Sequence, residues 1–133
     1  MQSEVVGAVE YRISATEKDV INARYLSTGS MGQQAGAICR GRAKGDTSGG
    51  FPGQYRIQYF GTDDALVGIF DLEIAPVGES FRLTWRNLAE NPTLPGGPGV
   101  IVFEGFGFPN SETSIVVCYW MTEAVGAALV ASR

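Results

Sequence analysis

Glu104 stands in one of the two most apolar stretches of the chain, spaced by two from Val100, Val102, Phe106 and Phe108. On an extended strand that spacing puts all five side chains on one face. If this face is interior, burial among apolar groups disfavours the charged carboxylate and raises its pKa. That suits a general acid or base, or a group that orients a ligand. The other face, Ile101, Phe103, Gly105 and Gly107, is the alternative interior, and it leaves Glu104 in solvent or paired with an arginine. Trp85, Tyr119 and Trp120, with Tyr55, Tyr59 and Phe70, are large amphipathic aromatics, and Phe106 shares the face of Glu104. Inside a small barrel such rings form a stacking wall with polar handles, suited to a flat or polyene-like ligand; on strands they also serve as ordinary core. Tyr119 is the second proton-transfer candidate beside Glu104. Being adjacent, Tyr119 and Trp120 point to opposite faces, so at most one lines an interior. Arg86 ends a strand beside a long loop, where it is placed to pair with a carboxylate at a barrel mouth, whereas Arg40, Arg42, Arg56 and Arg82 fit a solvated outer face.

Several classes of chemistry are absent from this inventory. The chain of 133 residues contains no histidine, which removes Ser-His-Asp triads, Cys-His pairs and histidine zinc sites. Ten basic against fourteen acidic side chains give a net charge of −4, and no basic block supplies the footprint of a nucleic-acid binder. There is no metal-ligand spacing, phosphate loop, nucleophile elbow or dinucleotide fingerprint, so neither metal nor cofactor is expected. No run of about 18 apolar residues exists to cross a membrane as a helix. With no secretory leader visible, the expected location is cytoplasmic. Cys39 and Cys118 are expected as two buried, reduced thiols.

The elements that must position these residues are strands. Val5, Gly7, Val9, Tyr11 and Ile13 alternate with polar neighbours over residues 5–14, and the same period of two runs through 37–44, 54–59, 66–74 and 81–86. Residues 99–108 and 113–121 are apolar strands, and 124–131 reads as a last, weakly patterned one. The turns Gly61-Thr62-Asp63-Asp64 and Val77-Gly78-Glu79 join neighbours tightly. Residues 16–26 open with Thr16 and Asp19 in a capping-box-like spacing and read as a short helix. Asn87–Pro98, with three prolines, is a long loop of the kind that forms lids or binding loops, and Gly45–Gly53 is a flexible connection. The expected fold is a single all-β domain over residues 1–133, an antiparallel up-and-down barrel of about eight strands with one short N-terminal helix. Eight strands give a bore that side chains fill or that holds one small ligand.

Gly53-Gln54-Tyr55-Arg56-Ile57, the turn at Gly61 leading to Gly68, Thr84-Trp85-Arg86, Glu104-Gly105-Phe106-Gly107 and Val117-Cys118-Tyr119-Trp120 together resemble a group of calycin-like bacterial domains of avidin/lipocalin-like small-barrel type. The resemblance covers about half the chain and implies a barrel fold rather than an activity. Phe108-Pro109, Glu112-Thr113 and Val117-Cys118-Tyr119 are similar to phenolic acid decarboxylase and MoaF-like barrels, in which inward polar side chains act on a substrate inside the barrel. The catalytic tyrosines, arginine and glutamate of that family have no counterpart in the N-terminal half of this chain. The resulting expectation is a barrel that binds a small hydrophobic or aromatic molecule. The alternative is a cofactor-independent cyclase, isomerase or decarboxylase using Glu104 or a tyrosine. The apolar last strand adds the expectation of a homo-oligomer.

Overall fold

A computed structural model describes residues 5–28, 37–88, 97–122 and 125. Its strands are β1 (Val6–Ile13), β2 (Val20–Ser27), β3 (Cys39–Lys44), β4 (Gly53–Phe60), β5 (Leu66–Val77), β6 (Ser80–Asn87), β7 (Ile101–Pro109) and β8 (Ser114–Met121). Each pairs antiparallel with the next, and β8 pairs back onto β1, so an up-and-down sheet closes into an eight-stranded barrel without free edges. This architecture is compatible with a calycin-like barrel. The period of two decides which side chains enter the bore. Tyr11, Ala23, Cys39, Ala43, Ile57, Phe70, Leu72, Leu83, Trp85 and Val117 are buried, while charged neighbours such as Arg40, Arg56, Asp71 and Glu73 face out.

The expected helix at 16–26 is absent. Ser14 Oγ accepts hydrogen bonds from the backbone N–H of Thr16 (3.2 Å) and Glu17 (3.0 Å), which closes a tight turn instead of a helical first turn. Asp19 then takes a left-handed backbone conformation (φ 59°) that no α-helix continues through. From Val20 the chain is extended, burying Ile21, Ala23 and Tyr25 between β1 and β3. Of the expected strand 124–131 only Val125 is described, and it is helical and buried; the other positions lie outside the described residues. The count of eight is reached by β2, and closure needs nothing after Met121.

The two ends of the barrel differ. Among the described residues, the lower end carries the connections 14–19, 45–52, 78–79 and 110–113, and the upper end carries the turn 61–65 with Thr28, Ile38, Leu88 and the stretch 97–100. The connection 45–52, expected to be flexible, is pinned. Asp19 Oδ1 accepts from Thr47 N (3.1 Å) and Thr47 Oγ1 (3.2 Å), and Phe51 is buried against the Phe81 ring, with centroids 6.2 Å apart. Phe51 therefore packs against the lower end of the core.

Candidate functional site

β7 resolves the two readings of Glu104. Gly105 lies opposite Leu83 and Tyr119, both inward-facing, whereas Glu104 lies opposite Thr84 and Trp120. The interior face is Phe103, Gly105 and Gly107, and Glu104 points outward. Its Oε2 sits 3.5 Å from Arg82 Nη2, with about a third of the side chain exposed (34%). The placement at the surface corrects the expectation of an interior acid or base. Packing explains the choice: a Cβ on Gly105 would collide with the Cys118 carbonyl oxygen and approach Trp85 Cζ3 to 3.2 Å, so only glycine lets these neighbours close. Phe106 accordingly faces solvent, at 55% exposure. A bulge between Trp85 and Arg86 adds one residue to β7, which brings Val102 into the core next to inward Phe103.

Five of the nine expected site residues point inward and four do not. Tyr59, Phe70, Trp85 and Tyr119 meet in one aromatic layer, joined by Phe103 from the alternative interior face of β7 and by Tyr25 from the stretch expected to be helical. Ring contacts run unbroken across the bore: Tyr25–Tyr59 at 4.9 Å, Tyr59–Phe70 at 6.0 Å, Phe70–Phe103 at 5.7 Å, Phe103–Tyr119 at 5.6 Å and Tyr119–Trp85 at 5.7 Å. These are edge-to-face and tilted arrangements favoured by the ring quadrupoles. Tyr55 is inward but belongs to the lower plug, its hydroxyl donating to the carbonyl oxygen of Phe51 (2.8 Å). Arg86 is outside, its guanidinium donating to Gly99 O (3.2 Å). Trp120 is on the outer face, where its ring meets Phe106 at 5.7 Å. Cys118 is exposed on that face too, so only Cys39 meets the expectation of a buried thiol; both are free.

Beneath and within the layer is a short hydrogen-bond chain. The Tyr11 and Tyr59 hydroxyls are 2.5 Å apart, and Trp85 Nε1–H donates to Tyr59 Oη at 2.8 Å. Three donors make two bonds here, so one hydroxyl hydrogen has no acceptor among the described residues, whichever tyrosine donates. Tyr25 donates to Phe60 O (2.9 Å) and Tyr119 to Leu26 O (3.4 Å). Burial raises the hydroxyl pKa of Tyr11, Tyr25 and Tyr59 above the ordinary tyrosine value, and that of Tyr119 up to about 12. All four are therefore neutral near pH 7, able to donate or accept a hydrogen bond but unsuited to act as anionic bases. Among the described residues no carboxylate is buried.

Comparison with known proteins adds nothing to this picture. No family model, curated protein or solved structure matches the chain.

One further polar group faces the upper bore. Asn87 is opposite inward Phe70 on β5 and is 2% exposed. Its Nδ2 donates to Gly97 O at 3.1 Å, which fixes the amide orientation and leaves Oδ1 as the acceptor. That oxygen has no hydrogen-bond partner among the described residues. A buried unsatisfied carbonyl oxygen costs about 1–3 kcal/mol, so its environment is incomplete as it stands. The long loop expected over 87–98 contributes Asn87, Leu88 and the 97–98 stretch; its middle, 89–96, lies outside the described residues.

Proposed function

We propose that the protein is a ligand-binding barrel of calycin type, which receives one small, flat, neutral molecule through its upper end. The observation that carries the reading is the condition of the aromatic layer. Tyr59 and Phe103 point into the bore and yet remain partly exposed, and Phe70 between them lies opposite Asn87, whose Oδ1 has no donor among the described residues. The partial exposure of the Tyr59 and Phe103 rings leaves apolar surface that a ligand stacked on them would cover. Its ring would gain apolar and quadrupolar contacts, and a hydroxyl or N–H on its edge would satisfy Oδ1. The spare hydroxyl hydrogen of the Tyr11–Tyr59–Trp85 chain offers the complementary donor. Binding is favoured over proton transfer because the acid/base pair first considered is unsuited: Glu104 is outside, and Tyr119 stays protonated.

Titration calorimetry with 2-naphthol and naphthalene tests the proposal on the unmodified protein. Saturable one-to-one binding is expected, with 2-naphthol about tenfold tighter because its hydroxyl gains one buried hydrogen bond. The same binding should persist in Phe106→Glu, which alters only the outer face. Absence of saturable binding by either compound, or its loss in Phe106→Glu, refutes an interior site.

A further inference from the structure

The outside of the barrel is two-sided. On β3, β4 and the middle of β5 the outward positions include Arg40, Arg42, Lys44, Arg56, Asp71 and Glu73, a solvated face, with exposed Leu66 and Val67 at the start of β5 and Val77 at its end. On β7, β8, β1 and β2 they are largely apolar. The registers align Phe106 with Cys118, Cys118 with Ala8, and Ala8 with Leu26, so one rung crosses four strands without a charge. Phe106 and Phe108 are 55% and 58% exposed, Ile38 60%, Val6 45% and Leu26 43%. An open groove of about 500 Å³ runs over this face.

We infer that this face is where a second copy of the chain docks. Area is the first argument. A whole aromatic side chain presents about 150–250 Å², so the two phenylalanines expose roughly 200 Å² between them. With Ile38, Val6 and Leu26 the apolar patch reaches roughly 500 Å², at the upper limit of what monomers expose. At the apolar share of about 65% found in homodimer interfaces, it forms the core of a contact burying about 800 Å² per subunit, the standard size. Charge is the second argument. The patch is rimmed by Glu10, 3.1 Å from Arg24 and 3.6 Å from Arg12, and by Glu104, 3.5 Å from Arg82. Both signs stand at the rim, so two copies related by a two-fold axis can set acid against base, and the net charge of −4 is not concentrated where they meet. Closure of the barrel leaves no edge for strand addition, which makes face-to-face sheet packing the remaining geometry. Phe106 stacked on Trp120 is a rigid aromatic anchor of the type that dominates interface energetics.

The test is the solution mass of the full chain across a concentration series, with Cys118 as a built-in reporter. Light scattering should give twice the 14.2 kDa chain mass at high concentration. Reaction of the Cys118 thiol with a chromogenic disulfide should slow as concentration rises, while Cys39, 2% exposed, stays slow throughout. Phe106→Glu should weaken self-association by about thirtyfold or more, whereas Arg40→Glu on the polar face should leave it unchanged. A single-chain mass at every concentration, or a Cys118 rate independent of concentration, overturns the inference without relying on any variant. Co-sedimentation of a monomeric chain with phosphatidylcholine–phosphatidylglycerol vesicles overturns it in favour of a lipid surface.

Discussion

Tyr59→Phe should be the most informative single-atom deletion in the barrel. Its hydroxyl is the hub of the interior chain, 2.5 Å from Tyr11 Oη and 2.8 Å from Trp85 Nε1. Removing it breaks both bonds and strands two groups in residues that are 0% and 2% exposed, Tyr11 and Trp85. Each buried group left without a partner costs about 1–3 kcal/mol, so a loss of about 3 kcal/mol is expected for the pair. Tyr11→Phe breaks one bond and leaves the Trp85–Tyr59 bond standing, for about 1 kcal/mol. The double variant removes the Tyr11 hydroxyl that Tyr59→Phe had stranded, leaving only the Trp85 N–H without a partner. It should be no less stable than Tyr59→Phe alone. The cycle therefore closes with a coupling of about 1 kcal/mol or more between the two sites. Urea unfolding followed by Trp85 emission in a Trp120→Phe background measures all four corners, with the slope m as the check that the unfolded state is unchanged. Equal losses in the two single variants, or a double variant equal to their sum, would show that the hydroxyls act independently and refute the hub.

Two other perturbations follow from the same packing. Gly105→Ala places a methyl against the Cys118 carbonyl and within 3.2 Å of Trp85 Cζ3, and should cost about 1–3 kcal/mol of stability by thermal melt, the range for overpacked cores; an unchanged melting temperature would contradict the inward placement of Gly105. Alkaline titration should show a fold that protects its tyrosines. Burial raises all five hydroxyls, so the unfolded chain releases protons near pH 10 while the fold keeps them, and stability is full below pH 10 and falls above it by up to about 1.4 kcal/mol per pH unit for each tyrosine. Tyrosinate absorbance and near-ultraviolet circular dichroism should change together; tyrosines ionising at ordinary pH in a chain of intact dichroism would refute the buried assignment.

The strands with clean alternation were legible because one property, polarity, separates their two faces. Cys39, Gly41 and Ala43 against Arg40, Arg42 and Lys44 needs no structure to orient it, and the structure orients it that way. β2 was obscured by local signals. Thr16 and Asp19 look like a helix start, but Ser14 captures the turn and Asp19 adopts positive φ, after which Ile21, Ala23 and Tyr25 show the period of two. Asn87 was not identified because its significance is a missing partner, and nothing in a residue's type or spacing says whether its hydrogen bonds will be satisfied. The places of Tyr25 and Phe103 in the layer depend on strand identity and register: Tyr25 needs 20–27 to be extended, and Phe103 needs the second of the two faces of β7, which alternation alone does not fix.

β7 failed to declare its faces because both are apolar, and there the deciding quantity is volume rather than polarity. An eight-stranded bore holds little more than its own side chains. Tyr11, Tyr25, Tyr59, Phe70, Trp85 and Tyr119 already point into it, so some inward positions must carry no side chain. Gly41, where a Cβ would lie 2.9 Å from Tyr59 Cδ1, and Gly105 beneath Trp85 are such positions. Had the other face of β7 been interior, Glu104, Phe106 and Phe108 would have stood where Phe103 and two glycines now point inward. The bore thus forces glycine inward and phenylalanine outward on the same strand. What the interior cannot accommodate appears on the surface as an apolar face. Interior filling alone does not require that the outward residues be phenylalanine, since a polar side chain at 106 or 108 would fit the outer face equally well. Their apolarity fits a face that is covered, and in the inference drawn above the cover is a second copy of the same barrel, which the concentration series tests.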